Sequence, residues 1–280
     1  MTHSVQPEID LILAYLQEQT SLNFSGNHLS MIKRRLQVRL SKTVHTSYED
    51  YLEFLKQDEG ELANLLDALT INVSRFFRDS FTFEYFFHHL LPQISAEKGK
   101  SRYATLRIWS AGCAAGEEAY SMAILIKEYL EKDKSPISPT IFATDIDLRA
   151  LEAARAGVYP MKSILNVKQE YMNKYFDAES DRYALRPAIK TMVDFSTFDM
   201  LNNITHVPKE SIYGGFDVVL CRNLLIYFEA AFQEKIMGKL YQSLNKNGLL
   251  ILGESERPVG AYREKFKEVT KLCRIYRKLR

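Results

Sequence analysis

The sequence predicts an α/β fold: a small all-helical N-terminal domain followed by a Rossmann-like domain whose parallel sheet is covered by helices. In the first quarter of the chain, apolar residues recur at helical spacing with little strand character. From Leu106 onward, short apolar runs alternate with helical patterns, which favours a parallel sheet with helices on both faces. A turn containing Gly112 and Gly116 joins the first strand to the first helix, as in nucleotide-binding sheets.

Composition is typical of a globular protein without a metal site. The chain has 280 residues, of which 46% are hydrophobic, and 37 basic against 35 acidic residues give a net charge of +2. A global basic field for nucleic acid is therefore absent. The three cysteines lack ligand spacing and predict reduced thiols. With neither a signal-peptide pattern nor a membrane-length apolar run, we expect a cytoplasmic location.

The helical domain is predicted to span residues 1–92. Its helices are indicated by the apolar series that begin at Ile9, Leu29, Tyr51 and Leu62, with Ser47 as an N-cap. A further helix over about 80–91 is predicted to end at Pro92. The basic segment that follows predicts a linker over residues 93–105.

The α/β domain is predicted to span residues 106–280. Its predicted strands are 106–109, 140–143, 216–220, 249–252 and 271–276, and its predicted helices are 117–131, 148–156 and 230–244. Between Tyr159 and Asp199 the alternation breaks. There we predict a small antiparallel β insertion near 178–196, with 182–185 and 191–195 as its two strands.

The residues after the glycine turn indicate which cofactor binds. Glu117 and Glu118 stand where a helix N-terminus would otherwise attract phosphates. Two carboxylates there repel a pyrophosphate and suit a cationic ligand without phosphate. S-adenosyl-L-methionine, with its sulfonium and α-ammonium groups, meets this requirement.

Polar residues after two further strands extend the predicted site. Asp145 ends the second strand and is predicted to accept hydrogen bonds from ribose hydroxyls, while Asp147 is assigned as the N-cap of the next helix. Asn223 follows the strand 216–220 and suits contact with the methyl donor or acceptor. Tyr227 either orients a reacting carboxylate or packs against the sheet, and spacing alone leaves both open.

Two other polar groups allow a functional and a structural interpretation. In the segment 71–79, Arg78 is suited to bind a carboxylate, but a helix start capped by Ser74 fits as well. In the segment 31–42, a basic helix face of Arg35, Arg39 and Lys42 suits an acidic protein surface or simply contacts solvent.

Together these motifs resemble one family, the chemotaxis receptor methyltransferases (CheR family). The stretches that carry the resemblance are INVSRFFRD, RIWSAGCAAGEEAYSMAI, ATDIDLRALEAARAGVY, VDF, FDVVLCRNLLIYF and NGLLILGESE. They occur in the family's order and cover essentially the whole chain. The resemblance implies methyl transfer from S-adenosyl-L-methionine to glutamate γ-carboxylates of chemoreceptor cytoplasmic helices, with S-adenosyl-L-homocysteine as the product.

The resemblance also implies roles for individual residues. Cofactor contacts are implied at Asn72, Ser74, Arg78, Glu117, Asp145, Arg222 and Asn223. The family's Asn-Leu pair reads Asp199-Met200 here, so that contact keeps an acceptor but loses a donor. Tyr227 matches the family's active-site tyrosine. A family arginine before the sheet has no clear match, and Lys98, Lys100 or Arg102 are its candidates, with Lys98 taken as catalytic.

Partner interactions follow from the same resemblance. The basic helix with Arg35, Arg39 and Lys42 matches the segment that docks on acidic receptor helices. Some members hold a receptor's C-terminal tail peptide on a longer, glycine-containing hairpin loop. Here that loop reads Ala178-Glu179-Ser180-Asp181, so we predict no tail tethering. We further expect a monomer that neither binds nucleic acid nor inserts into the membrane.

Two other functions remain compatible with the sequence. One is a methyltransferase of the same fold that acts on another acceptor, such as RNA or a small acid, although the balanced net charge and the lack of stacking aromatics beside the basic helix argue against RNA. A module that senses the donor without turnover would keep the same binding residues.

Overall fold

The computed structural model describes residues 6–20, 22–24, 26–70, 73–99, 104–133, 136–202, 204–212 and 215–279. The chain forms two compact units, one of residues 1–72 with 227–232 and one of residues 73–226 with 233–280. None of the helices in these described ranges combines the length and the low charge that a membrane span requires.

The first unit is a helical bundle. Its helices are α1 (Gln6–Thr20), α2 (Leu29–Leu40), α3 (Tyr48–Gln57) and α4 (Glu59–Leu69). The oxygen atoms of Ser47 and Asp58 cap α3 and α4 by accepting from the backbone N–H three residues on, at 3.1 and 2.8 Å. The apolar faces bury a common core that includes Ile12, Leu36 and Leu65. The helical pattern was therefore sufficient to predict this unit.

The second unit begins at Val73, before the predicted boundary at residue 92. Its first helical stretch comprises α5 (Ser80–Tyr85), a π-helical turn (Phe86–Leu90) and α6 (Leu91–Lys98). Phe83, Phe86 and Leu90 are buried in the core that surrounds the sheet, so this stretch belongs to the α/β unit. Residues 93–98, predicted as linker, continue the helix. Pro92 does not end it, because the preceding turn is π-helical and Leu91 donates to the carbonyl five residues back.

The remaining helices and strands build an α/β sheet domain. The helices are α7 (Glu117–Asp133), α8 (Leu148–Ala156), α9 (Met161–Ile164), α10 (Gln169–Tyr175), α11 (Pro187–Lys190) and α12 (Ala230–Ser243). The strands are β1 (Thr105–Ala111), β2 (Ser138–Asp145), β3 (Val158–Pro160), β4 (Phe176–Glu179), β5 (Arg182–Leu185), β6 (Val193–Thr197), β7 (Phe216–Cys221), β8 (Leu244–Leu252), β9 (Phe266–Glu268) and β10 (Ile275–Lys278).

The main sheet has the strand order β6-β2-β1-β7-β8-β10-β9. The strands β6, β2, β1, β7 and β8 are parallel, and β10 is antiparallel to both β8 and β9. The order reverses direction at β1, so the carboxyl ends of β1, β2 and β7 form the crevice in which such sheets bind ligands. The predicted Rossmann-like sheet is confirmed.

The small antiparallel sheet is confirmed, but one of its predicted strands is wrong. Its order is β3-β5-β4, with a two-residue turn at Ser180-Asp181 between β4 and β5. The segment 191–195 does not pair with 182–185. It forms most of β6, which pairs in parallel with β2 at the edge of the main sheet. Apolar alternation marked the strand correctly, but pairing is a long-range choice that local pattern does not determine.

Candidate functional site

The carboxyl ends of the parallel strands bring six of the predicted site residues to one edge of the sheet. Glu117 follows β1, Asp145 ends β2, Asp199 and Met200 follow β6, and Arg222 and Asn223 follow β7. The backbone joins two of these ends directly, because the N–H of Phe198 donates to the carbonyl of Asp145 at 3.1 Å.

The turn after β1 depends on its glycines. Gly112 and Gly116 have φ values of 76° and 88°, in the left-handed region that side chains with a Cβ rarely adopt. A Cβ on Gly116 would lie 3.0 Å from Ala154 Cβ and from Phe195 Cζ. The backbone of the turn is also fixed from β2, since Gly112 and Cys113 both donate to the carbonyl of Thr144. The result is a rigid concave turn ahead of α7.

Glu117 is the first residue of α7, and its carboxyl group is only partly hydrogen-bonded. Its side chain is buried, and its Oε2 has no hydrogen-bond partner among the residues that the structure describes. Burial raises the pKa of Glu117, while hydrogen bonds from its own backbone N–H, Ser74 and Ser163 act in the opposite direction. A buried carboxylate oxygen without a partner is costly, which indicates that a donor group from a ligand completes it.

Glu118 has a different role from the one its position suggested. Its Oε1 accepts from the Ser110 hydroxyl at 2.8 Å, and its Oε2 pairs with Arg222 at 3.2 Å. Burial raises the pKa of Glu118, and Arg222 lowers it. Of the two glutamates, Glu117 alone therefore offers an uncompensated carboxylate at the turn.

Arg222 is the centre of a buried ion network. Besides Glu118, its guanidinium bonds Asp79 Oδ2 at 2.7 Å and the carbonyl of Arg78 at 2.8 Å. The guanidinium also lies 5.2 Å from the centroid of Phe83. The structure thus places Arg222 where it ties the start of α5 to α7, and both of its terminal nitrogens are occupied by protein atoms.

The predicted Asp147 cap is confirmed, and Asp145 ends β2 as predicted. Asp147 caps α8, accepting from the backbone N–H of Arg149 and Ala150 at 2.9 and 3.2 Å. Asp145 accepts from the N–H of Ala114 at 2.8 Å and of Asp147 at 3.0 Å. Burial raises the pKa of Asp145. Each carboxylate oxygen keeps a second lone pair, so two hydroxyl donors of a ligand can still be accepted.

Asp199 and Met200 follow Phe198, whose backbone N–H donates to the carbonyl of Asp145. Asp199 Oδ1 accepts from the N–H of Leu201 at 2.7 Å, and Met200 is buried. Sequence reasoning missed Lys239 of α12, which is buried, hydrogen-bonds the carbonyl of Asn202 and interacts electrostatically with Asp199. Burial lowers the pKa of Lys239 to about 8.

Asn223 is held in a strained conformation by a residue that sequence reasoning also missed. Its φ is 59°, in the left-handed region that asparagine tolerates better than most residues. The buried carboxylate of Glu256 accepts from the N–H of Asn223 at 2.8 Å, of Gly253 at 2.7 Å and of Ile226 at 3.3 Å. Glu256 lies in the stretch GESE, whose acidic residues were the available signal.

The segment before α5 contributes Ser74 but not as a helix cap. The helix begins at Ser80, and Ser74 hydrogen-bonds Glu117 instead. Arg78 donates to the carbonyl of Val73 at 3.2 Å. Asn72 lies outside the described residues.

Lys98 does not lie at the carboxyl ends of the parallel strands, where the other predicted site residues meet. Its Nζ pairs with Asp217 Oδ1 at 2.9 Å, at the amino end of β7, whereas Arg222 and Asn223 follow the carboxyl end of the same strand. The prediction of a catalytic Lys98 therefore places it at the wrong end of the sheet. The other candidates for that role, Lys100 and Arg102, lie outside the described residues.

Tyr227 and the predicted docking residues belong to the helical unit. The carbonyl of Tyr227 accepts from the N–H of His28 at 3.0 Å. Arg35 bonds the carbonyl of Ala68, and Arg39 pairs with Glu61, which also accepts from Tyr51 at 2.6 Å. The basic face predicted for α2 is thus incorrect for Arg35 and Arg39, which are turned toward α4, while Lys42 is exposed.

These features fit S-adenosyl-L-methionine. The unpartnered oxygen of Glu117 suits an ammonium group, and Asp145 suits ribose hydroxyls. Within the described ranges, no three His, Cys, Asp or Glu side chains converge as metal ligands would.

Comparison with known families assigns both units. Residues 72–273 match the family model described as CheR methyltransferase, SAM binding domain. Residues 7–70 match the model described as CheR methyltransferase, all-alpha domain. The two models meet near the boundary of the compact units at residues 72 and 73, whereas residues 227–232 lie within the SAM-binding model but belong to the helical unit.

Curated relatives match along most of their length. The chain is 30% identical to a chemotaxis protein methyltransferase of Borreliella burgdorferi over 89% of this chain and 87% of the relative. It is 34% identical to chemotaxis protein methyltransferase 2 of Vibrio cholerae over 86% and 82%. Among solved structures, DszA carbon methyltransferase is 16% identical and covers 85% of this chain and 50% of its own, with a TM-score of 0.36.

Proposed function

Because the chain belongs to the CheR methyltransferase family, we propose that it transfers a methyl group from S-adenosyl-L-methionine to glutamate γ-carboxylates of chemoreceptors. The proposal makes it a protein-glutamate O-methyltransferase of the cytoplasm whose partners are the cytoplasmic helices of those receptors. The observation that carries it is the buried carboxylate of Glu117 beside the glycine turn, whose Oε2 has no hydrogen-bond partner among the described residues, together with the chemotaxis methyltransferases among the chain's relatives.

Different residues at the sheet edge bind different groups of the cofactor. We infer that Glu117 holds the α-ammonium group, Asp145 the ribose hydroxyls, and Asp199 and Met200 the adenine. Asn223, fixed by Glu256, faces the donor or the acceptor. When bound, S-adenosyl-L-methionine supplies a methyl group on a sulfonium centre, and the acceptor carboxylate supplies the electron pair.

The chain needs no general base for this chemistry. A glutamate side chain has a pKa of about 4.3 in water and is already ionised at neutral pH. Transfer combines a negative and a positive charge into neutral products, so water stabilises the reactants more than the transition state. A cleft that excludes water and aligns the reactants therefore supplies the acceleration.

Arg222 keeps the acceptor carboxylate reactive because the terminal nitrogens of Arg222 are already hydrogen-bonded within the protein. A free guanidinium at the end of β7 would bind the acceptor carboxylate bidentately and reduce its nucleophilicity. Here Asp79, Glu118 and a backbone carbonyl satisfy the terminal nitrogens of Arg222. The acceptor then meets the neutral side chain of Asn223 rather than this cation.

A labelling experiment tests the proposal. The purified chain is incubated with methyl-labelled S-adenosyl-L-methionine and a chemoreceptor cytoplasmic fragment, and the product is treated with base. Volatile label released by base indicates a methyl ester and supports the proposal. Base-stable label indicates another acceptor, and absence of label indicates a donor-sensing module; either result contradicts it.

A further inference from the structure

A cavity of about 790 Å³ lies in the α/β unit beside the carboxyl ends of β7 and β8. One wall is formed by Leu225 and Ile226, which follow the end of β7. Phe266 of β9 and Tyr276 of β10 also line the cavity. Residues 255–259, which follow β8, contribute the next part of the lining.

The walls carry positive charge that the protein does not neutralise. Arg257, Arg263 and Lys271 are exposed and have no carboxylate partner among the described residues. A fourth cation, Arg274, is engaged, because it lies 3.6 Å from Glu268 and donates to the carbonyl of Glu254 at 3.0 Å. In a chain with a net charge of only +2, this is a local excess.

Two carboxylates line the cavity, and neither neutralises the three unpaired cations, because Glu268 faces Arg274 and Glu256 is buried. Glu256 is 3% exposed, and its oxygens accept the three backbone N–H groups described above. The lining also includes the buried apolar residues Pro258, Phe266 and Tyr276. A ligand suited to the cavity therefore has carboxylates along its outside and apolar side chains that reach inward.

The cavity is directly connected to the predicted transfer site. Glu256 lines the cavity and at the same time fixes the backbone of Asn223 at 2.8 Å. A protein that presents a glutamate to Asn223 must place its neighbouring residues on the adjacent surface. The cavity is such a surface, and its charge is complementary to an acidic chain.

We propose that this cavity docks an acidic segment of the protein substrate that flanks the glutamate to be methylated. The inference rests on the proposed function and adds a substrate-docking surface to it. Arg257, Arg263 and Lys271 pair with carboxylates of the segment, and the apolar residues contact its side chains. Because these pairs are solvent-exposed, they act mainly on encounter and recognition and weaken with added salt.

The test replaces the three unpaired cations together. In the triple variant Arg257→Gln/Arg263→Gln/Lys271→Gln, the KM for a chemoreceptor cytoplasmic fragment rises by about tenfold, while kcat and the donor Kd stay within about twofold. The matched control is Lys132→Gln/Lys209→Gln/Lys246→Gln, which removes the same charge from exposed positions outside the cavity. An unchanged KM, or an equal rise in the control, overturns the proposal.

A binding measurement separates this inference from the proposed function. Fluorescence anisotropy of the labelled chemoreceptor fragment gives its Kd for each variant without turnover. A Kd that rises in the cavity variant alone supports docking even if no methyl ester forms. Ester formation by the unmodified chain, with equal Kd values for all variants, contradicts docking and leaves the proposed function intact.

Discussion

At the scale of single residues, Asp145 combines a structural and a binding role. Its two oxygens already accept from the N–H groups of Ala114 and Asp147. These bonds fix the carboxylate between the glycine turn and the start of α8. The side chain that receives the ribose is thus held in place before any ligand binds, which lowers the entropic cost of binding.

We expect Asp145→Ala to weaken donor binding by at least about tenfold, the effect of losing a pair of charge-assisted hydrogen bonds. Calorimetric titration with S-adenosyl-L-methionine measures the change. The matched control is Asp194→Ala, which removes an exposed carboxylate from the neighbouring strand β6. A donor Kd equal to that of the unmodified chain would show that the ribose is not bound here.

Tyr227 is assigned its role by resemblance rather than by spacing. If its hydroxyl orients the acceptor carboxylate through one neutral hydrogen bond, Tyr227→Phe lowers turnover by about tenfold or more and leaves the donor Kd unchanged. Tyr15→Phe is the control, since it removes a hydroxyl from the same unit. Turnover that survives in Tyr227→Phe would remove this residue from the reaction.

At the scale of helices and strands, sequence patterns correctly predicted the features that depend on interactions between residues close in sequence. The glycine turn, the Asp147 cap and the polar strand ends all follow from short-range steric and hydrogen-bond requirements. These features define most of the candidate site. They were readable because a parallel sheet brings its strand ends to one edge wherever those ends lie in the sequence.

The errors have a common physical origin in long-range contacts. Residues 191–195 were correctly strand-forming, but β2 rather than 182–185 is their partner. Arg39 fits a solvent-facing basic helix by composition, yet Glu61 and Tyr51 from other helices draw it inward. Glu256 was missed because its importance comes from three backbone N–H groups that the fold brings to it, and the acidic stretch GESE does not identify those donors.

The β4–β5 turn gives a prediction at this scale. The turn has only two residues, Ser180 and Asp181, and neither is glycine. It offers little backbone for an added peptide strand, so we predict no tethering of a receptor's C-terminal tail. A receptor fragment with its tail and one without it should be methylated with KM values that agree within about twofold. A clear preference for the tailed fragment would contradict this.

At the scale of the whole molecule, the buried carboxylates of the site lower the free energy of unfolding, and a bound cationic ligand raises it again. Burial raises the pKa of Glu117, Glu118 and Asp145, so each binds protons more readily in the folded chain than in the unfolded chain. For such groups the ligand-free protein gains stability as the pH falls through the raised pKa values and loses it as the pH rises. Ionising these carboxylates therefore costs more free energy in the folded chain than in the unfolded chain, and a cationic ligand offsets that cost.

This linkage predicts how the donor shifts the melting temperature. A cationic ligand favours the ionised carboxylates, so saturating S-adenosyl-L-methionine should raise Tm more at pH 7.5 than at pH 5, where protonation competes with it. Differential scanning calorimetry at several pH values measures the shift. Glu117→Gln removes the one carboxylate that has a buried oxygen without a partner among the described residues, and should give a smaller shift that varies less with pH. A ligand-induced shift that is equal at both pH values would mean that no titrating carboxylate receives the positive charge, and the assignment of Glu117 to the ammonium group would fail.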